Sequence, residues 1–310
     1  MKVGLARQII NNILRPVEYS INLLTRNRKW YPPIFVIGAP RSSSTLFYQA
    51  VTDSFDVCYI SNFIRNLYIV PATGWLLQSL IFPGNYSSDY SSEHGRTKGY
   101  IGPNEAAEFW YQWFPKGLNV YVDKNEINEK IKKSIRNKIL LLSKVSGKPV
   151  VFKNLYNSMR INPLVESIPE SIFVVCKRNP VYIVQSILLS RLKVLGSIKE
   201  WWSVPPRQIN EILNMEPVKQ VAMQVYLVYK QINEDLERNN AKRVFYVDYN
   251  ELCDNPGKLL NDFRDWLSQY GIPLKQKKEF PKKFINSNKV KVDKGTFNRI
   301  VEEVQLLWKS

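Results

Sequence analysis

Four hydroxyl side chains in a row follow an arginine in Gly38-Ala39-Pro40-Arg41-Ser42-Ser43-Ser44-Thr45-Leu46. Small residues between a strand and a helix let backbone N–H groups converge on an anion, and the helix N-terminus adds partial positive charge. Ser42, Ser43, Ser44 and Thr45 can each donate to a phosphate oxygen, and Arg41 can engage an oxygen pair through two parallel bonds. An ordinary helix cap needs only one hydroxyl. A Walker A loop needs Gly-Lys before its Ser/Thr, which this segment lacks. No Asp for magnesium stands out after a strand. The chemistry indicated is phosphate handling without ATP hydrolysis or metal.

A second cluster lies 137 residues beyond Arg41. In FVVCKRNPVYIVQSILLS, residues 173–190, an apolar run ends in Lys177-Arg178, Asn179-Pro180 turns the chain, and a helical pattern follows. Pro180 suits the first helical turn, where its missing N–H costs nothing. Ser186 lies about two helical turns beyond Arg178. Ligands of open α/β sheets bind at the carboxyl ends of strands, so Arg178 is placed for a second phosphate with Ser186 pointing back at it. A surface ion pair and a plain helix serine would fit the same residues.

The elements that must position these groups alternate. Apolar runs at 34–39, 150–153, 171–177 and 243–249 read as buried strands. Helical patterns occupy 42–53, 126–145, 180–192, 218–238 and 255–270. Such alternation predicts an α/β fold with a central parallel β-sheet flanked by helices. Residues 85–102 read as an irregular active-site or lid segment, and 276–294 as a lysine-rich loop.

In this order the two clusters resemble the motifs of the sulfotransferase family that uses 3′-phosphoadenosine 5′-phosphosulfate (PAPS). Its members carry a 5′-phosphosulfate loop of the type PRSGTTLL after the first strand and a 3′-phosphate motif of the type RxPxxxxxS later. The matches are Pro40 to Leu46, and Arg178-Asn179-Pro180 with Ser186. Residues 244–252 (VFYVDYNEL) with Asn255-Pro256 look like the family's late strand and its YEDL segment, which brings in Tyr249. The resemblance covers about residues 33–272 and implies a P-loop NTPase-like fold with a helical acceptor-side insert. It implies PAPS as co-substrate, PAP as product and no metal. The implied nucleotide contacts are Arg41, Ser42, Ser43, Ser44, Thr45, Leu46, Arg178, Ser186 and Tyr249. The family usually has Gly at position 43, so Ser43 is expected to fit if its backbone φ is negative. Lys294-Gly295 is the candidate for the family's C-terminal phosphate loop.

Sulfuryl transfer needs an in-line acceptor, a base, and cations on the leaving oxygen. By resemblance the cations are Arg41 and Lys153, the latter at the end of the strand 150–153, where relatives carry an active-site Lys. Family members use His or Glu as base. The candidates, in order, are Glu105, His94 and Glu108. Glu105 follows Gly102-Pro103-Asn104, where a helix running to Phe114 is expected to begin. His94 is the one histidine and lies in a polar loop. Aromatics cluster in the insert at Trp75, Phe109, Trp110, Tyr111 and Trp113, with a second group at Trp201-Trp202. Most should be core; any that are exposed would suit a glycan or glycolipid acceptor.

Composition bounds the alternatives. Hydrophobic residues make up 45% of the 310, enough for a sizeable core. Cys58, Cys176 and Cys253 show no CxxC spacing, which argues against a zinc site or a disulfide framework and fits a reducing, cytoplasmic setting. The net charge of +17 exceeds what a doubly phosphorylated nucleotide needs. No apolar run is long enough to span a membrane, and Pro71 is expected to disturb a helix in the most hydrophobic window, 67–82. Gln8, Asn11 and Asn12 break the pattern of a signal peptide.

Residues 1–30 read as an amphipathic arm ahead of a single domain at 31–310. Leu5, Ile9, Ile13, Val17, Ile21 and Leu24 recur at helical spacing, and Pro16 divides the helix. Such an arm either packs on the domain or makes peripheral contact with an anionic membrane. Two other functions compete: a P-loop-like nucleotide kinase, disfavoured by the missing Gly-Lys, and nucleic-acid binding, disfavoured by the scatter of basic residues and the absence of a known motif. The sequence leaves the oligomeric state open.

Overall fold

The computed structural model describes residues 4–92, 95 and 97–309. In chain order the elements are α1 (Leu5–Ile13), α2 (Arg15–Leu24), β1 (Ile34–Gly38), α3 (Ser44–Ser54), α4 (Pro71–Ile81), α5 (Ala107–Trp110) and α6 (Glu129–Ser146). There follow β2 (Val151–Lys153), α7 (Ile161–Ser167), β3 (Ile172–Lys177), α8 (Pro180–Leu195), α9 (Ile209–Ile212), α10 (Pro217–Arg238), β4 (Val244–Asp248), α11 (Tyr249–Asp254), α12 (Pro256–Ser268) and α13 (Lys294–Trp308).

The four strands form one parallel sheet in the order β2-β1-β3-β4. Side chains alternate between its faces with period two. Phe35, Ile37, Phe152, Phe173 and Val175 join the core shared with α6, α7, α8 and α10. Ile34, Val36, Val151, Ile172, Val174 and Cys176 join the opposite core, built on α3, α11 and α12. Both faces are covered, so β1 is buried along its whole length, and its sequence is apolar without alternation. β1 is central, with β3 on one side and β2 on the other. The carboxyl ends of all three therefore open onto the same edge.

Local sequence explains the element ends that matter for the site. Asn179 accepts from the backbone N–H of Val181, and Pro180 sits in the first turn of α8. α6 begins at Asn128, whose side chain accepts from Ile131, and ends at Gly147 with φ 67°.

Two expected helices differ. Pro71 does not disturb α4 but opens it, because a first-turn proline loses no hydrogen bond. The helix expected from about 105 to Phe114 is a single short turn, α5, that starts at Ala107. Ala106 ahead of it takes φ 49°, so Glu105 stands outside the helix rather than in its first turn. All three cysteines are buried and free. No helix among the described residues is long and apolar enough to cross a membrane.

Candidate active site

The loop between β1 and α3 turns tightly under Gly38. A Cβ at Gly38 would lie 2.8 Å from both the Cys176 carbonyl oxygen and Ser42 Oγ, so only glycine fits this close passage between the strands. Arg41 and Ser43 both take left-handed backbone, with φ 67° and 74°. The condition for an easy fit of Ser43, a negative φ, is thus not met; the turn asks for the glycine conformation, and Ser43 carries the strain. Ser43, Ser44 and Thr45 line the cleft above the N-terminus of α3. Ser42 does not. Its hydroxyl is buried under Gly38 and beside Tyr229, and its N–H donates to the Ala39 carbonyl. The expected row of four donors is three, because the turn rotates its first member into the core.

Arg178, at the end of β3, lies against this loop. Its Nη1 donates to the Arg41 carbonyl at 3.2 Å, and Arg41 Nε donates to Ser186 Oγ at 2.9 Å. Arg178 Nε donates to Asn288 Oδ1 at 2.7 Å and Nη2 to Ser287 Oγ at 3.2 Å. Its guanidinium stacks 4.5 Å from the centre of the Tyr249 ring. The Tyr249 hydroxyl lies 2.8 Å from Ser287 Oγ and accepts from the Ser287 N–H at 2.6 Å. Burial lowers the Arg41 pKa, and the neighbouring Arg178 pushes it the same way. Burial also lowers that of Arg178, while the surrounding tyrosines and Cys253 oppose the shift. Among the described residues, no carboxylate is a main influence on either. Two partly desolvated cations held side by side form a site that an anion would stabilise.

A second group faces them from β2 and the insert. Lys153 is buried and ion-paired to Glu105. Asn154 fixes the approach by donating to the Glu105 carbonyl at 2.9 Å. A Cβ on Gly95 would meet Glu105 Oε1 at 2.7 Å, Lys153 Nζ at 3.6 Å and Thr45 Oγ1 at 3.7 Å, so these three side chains converge on one spot.

These residues line one cleft of about 560 Å³, together with Tyr90, Tyr156, Trp202, Tyr249 and Lys283. A space of about 490 Å³ shares Arg41, Arg178 and Ser287 with it and continues past Ser186 to Lys193 and Lys291. Of the sequence candidates, Arg41, Ser43, Ser44, Thr45, Leu46, Glu105, Lys153, Arg178 and Tyr249 come together in the first, and Ser186 joins through the second. Glu108 lines neither. His94 lies outside the described residues.

Phe109 and Trp110 are core against Phe35 and Phe152, and of the aromatics singled out Trp202 reaches the cleft. Lys294 starts α13 and lines neither space; the loop before it contributes Ser287 and Asn288 instead. The only sequence signal for that contribution is the lysine-rich run, which does not say which residues turn inward. No cluster of metal-ligating side chains occurs among the described residues.

Fold and site define an α/β transferase with a built anion cradle at the carboxyl ends of its strands. Residues 32–269 match the model of the sulfotransferase family, so the chain belongs to that family and is a sulfotransferase. A sulfotransferase from Mycobacterium avium superposes with TM-score 0.51 at 13% identity, over 92% of this chain and 71% of that one. A sulfotransferase from Mycobacterium tuberculosis H37Rv gives 0.45 at 13% identity, over 83% and 73%. One from Alicyclobacillus acidocaldarius gives 0.41 at 13% identity, over 89% and 95%. No curated protein matches the chain in sequence.

Proposed function

We propose that the protein transfers a sulfuryl group from PAPS to an acceptor hydroxyl or amine, leaving PAP. The observation that supports this reading is the meeting of Arg41 and Arg178, two cations with no carboxylate partner among the described residues, in a cleft beside the α3 N-terminus. The loop Arg41 to Leu46 fits the 5′-phosphosulfate end. Arg178 and Ser186, with Ser287 and Asn288 beside them, fit the 3′-phosphate, and Tyr249 fits a contact near it.

Glu105 is the proposed base, taking the acceptor proton. The acceptor atom forms its bond to sulfur as the bridging S–O bond breaks, and the electron pair leaves on the phosphate oxygen of PAP. Lys153 and Arg41 supply positive charge where that pair arrives. Lys153 is paired with Glu105, which supports reading the two as a base and a leaving-group cation held together before any ligand enters. Trp202 at the cleft favours an acceptor with a flat apolar face, such as a sugar of a glycan or glycolipid. The three buried, free cysteines suit a reducing, cytoplasmic setting.

Calorimetric titration with PAP, followed by transfer assays with labelled PAPS against glycans, lipids and small alcohols, tests the reading. Wild-type PAP affinity in both Arg41→Ala and Arg178→Ala would overturn it.

A further inference from the structure

The two N-terminal helices are mounted with their polar stripe inward. Asn11, Glu18 and Thr25, spaced seven apart, share one side of α1–α2 and its C-terminal cap. Asn11 Nδ2 donates to the Asn66 carbonyl at 2.8 Å, and its Oδ1 accepts from the Ile69 N–H at 2.8 Å. The Glu18 carboxylate accepts from the N–H groups of Ala72 and Thr73 at 3.2 and 2.7 Å and from the Thr73 hydroxyl at 2.7 Å. It thereby caps α4, whose free N–H groups and dipole favour an anion. Thr25 is buried.

The apolar stripe points the other way. Leu5, Ile9, Ile13, Val17 and Leu24 are 74%, 48%, 68%, 45% and 82% exposed, while Ile21 of the same stripe is half-buried. Leu76, Leu80 and Ile81 of α4, against which α2 packs, are exposed as well. An amphipathic surface helix ordinarily buries its apolar stripe and leaves its polar face in water. This one does the reverse.

We propose that the outward face of α1 and α2 docks on a bilayer containing anionic lipid. Charge selects this occupant. Arg26, Arg28 and Lys29 follow the stripe and are exposed, and the single acidic residue among described positions 4–30, Glu18, is consumed in capping α4. Lys144 adjoins the arm by donating to the Arg26 carbonyl at 3.0 Å. A second copy would bring like charge onto like charge in a chain of net +17. A nucleic acid would leave the aliphatic side chains without a partner. An apolar stripe flanked by arginine and lysine matches the headgroup boundary, where acyl chains take the one and anionic headgroups the other. The arm contributes no residue to the nucleotide cleft, so this surface stands independently of what the cleft binds.

The test is flotation of the full chain with vesicles of phosphatidylcholine alone or mixed with phosphatidylglycerol. The protein should float with the mixed vesicles and much less with the neutral ones. The pair Ile9→Asn and Ile13→Asn, and separately the set Arg26→Gln, Arg28→Gln and Lys29→Gln, should each weaken binding at least about tenfold. Both sets alter exposed side chains, so far-UV circular dichroism and melting should match the wild type. Failure to float with mixed vesicles, equal flotation with neutral ones, or unchanged binding in the aliphatic variant overturns the proposal. So does a dimer in sedimentation that the aliphatic variant dissolves, which would make a second copy the occupant.

Discussion

Arg41 Nε donates to Ser186 Oγ at 2.9 Å, joining residues 145 apart in the chain. The serine sits on the second turn of α8 and the arginine on the turn before α3. The bond aims the Arg41 guanidinium towards the space that Arg178 also faces. Each element end is set by its own short sequence, and the parallel pairing of β1 with β3 brings the two ends together.

Arg41 and Arg178 repel each other without a ligand, and burial adds to the cost. Replacing Arg178 with Met is therefore expected to leave the ligand-free melting temperature equal or higher. The same change should reduce PAP affinity by about 10- to 100-fold, the worth of a charge-assisted contact. Differential scanning calorimetry with and without PAP reads both effects. A wild-type thermal shift on PAP addition would contradict the assignment.

Ser43 holds φ 74°, which costs a non-glycine residue about 1 kcal/mol. Ser43→Gly is expected to stabilise the fold by roughly 0.5 kcal/mol, since glycine's greater unfolded-state entropy offsets part of the relief. Urea denaturation measures this. PAP affinity should fall slightly, because the Ser43 hydroxyl lines the cleft.

Glu105→Gln is expected to keep PAP affinity and lower turnover by about 10²–10⁴, the range for loss of a general base. It also leaves Lys153 buried without its charge partner, so melting should fall. Adding Lys153→Met should restore melting but not turnover. Recovery of stability without activity separates the chemical role of the pair from its structural one.

Lys138 lies under the arm, donating to Gln112 Oε1 at 2.6 Å. Burial, the main cause, lowers its pKa from an ordinary 10.5 to about 8. Between those values the unfolded chain holds a proton that the folded chain has released, so stability should rise with pH from about 8 towards 9.5. Lys138→Met should remove this rise. Denaturant midpoints across that range check it, and an unchanged slope in the variant would refute it.

The sequence alone determined the strand-helix alternation and the two arginine motifs. Buried parallel strands must be continuously apolar, and the turns that follow them must carry small or hydroxyl residues to approach an anion. It also marked Glu105 and Lys153, though not their contact. What sequence could not decide were the directions of side chains inside turns. Ser42 and Thr45 are neighbours of the same chemistry, yet the passage under Gly38 buries the first and leaves the second at the cleft. Ser287 and Asn288 were equally illegible, because their partner Arg178 is more than a hundred residues away and is reached only after the loop that follows α12 packs against α11. The arm makes the same point. Its periodicity fixed two opposite stripes, but which one meets the domain depended on the open N-terminus of α4, a feature that exists only in the folded chain.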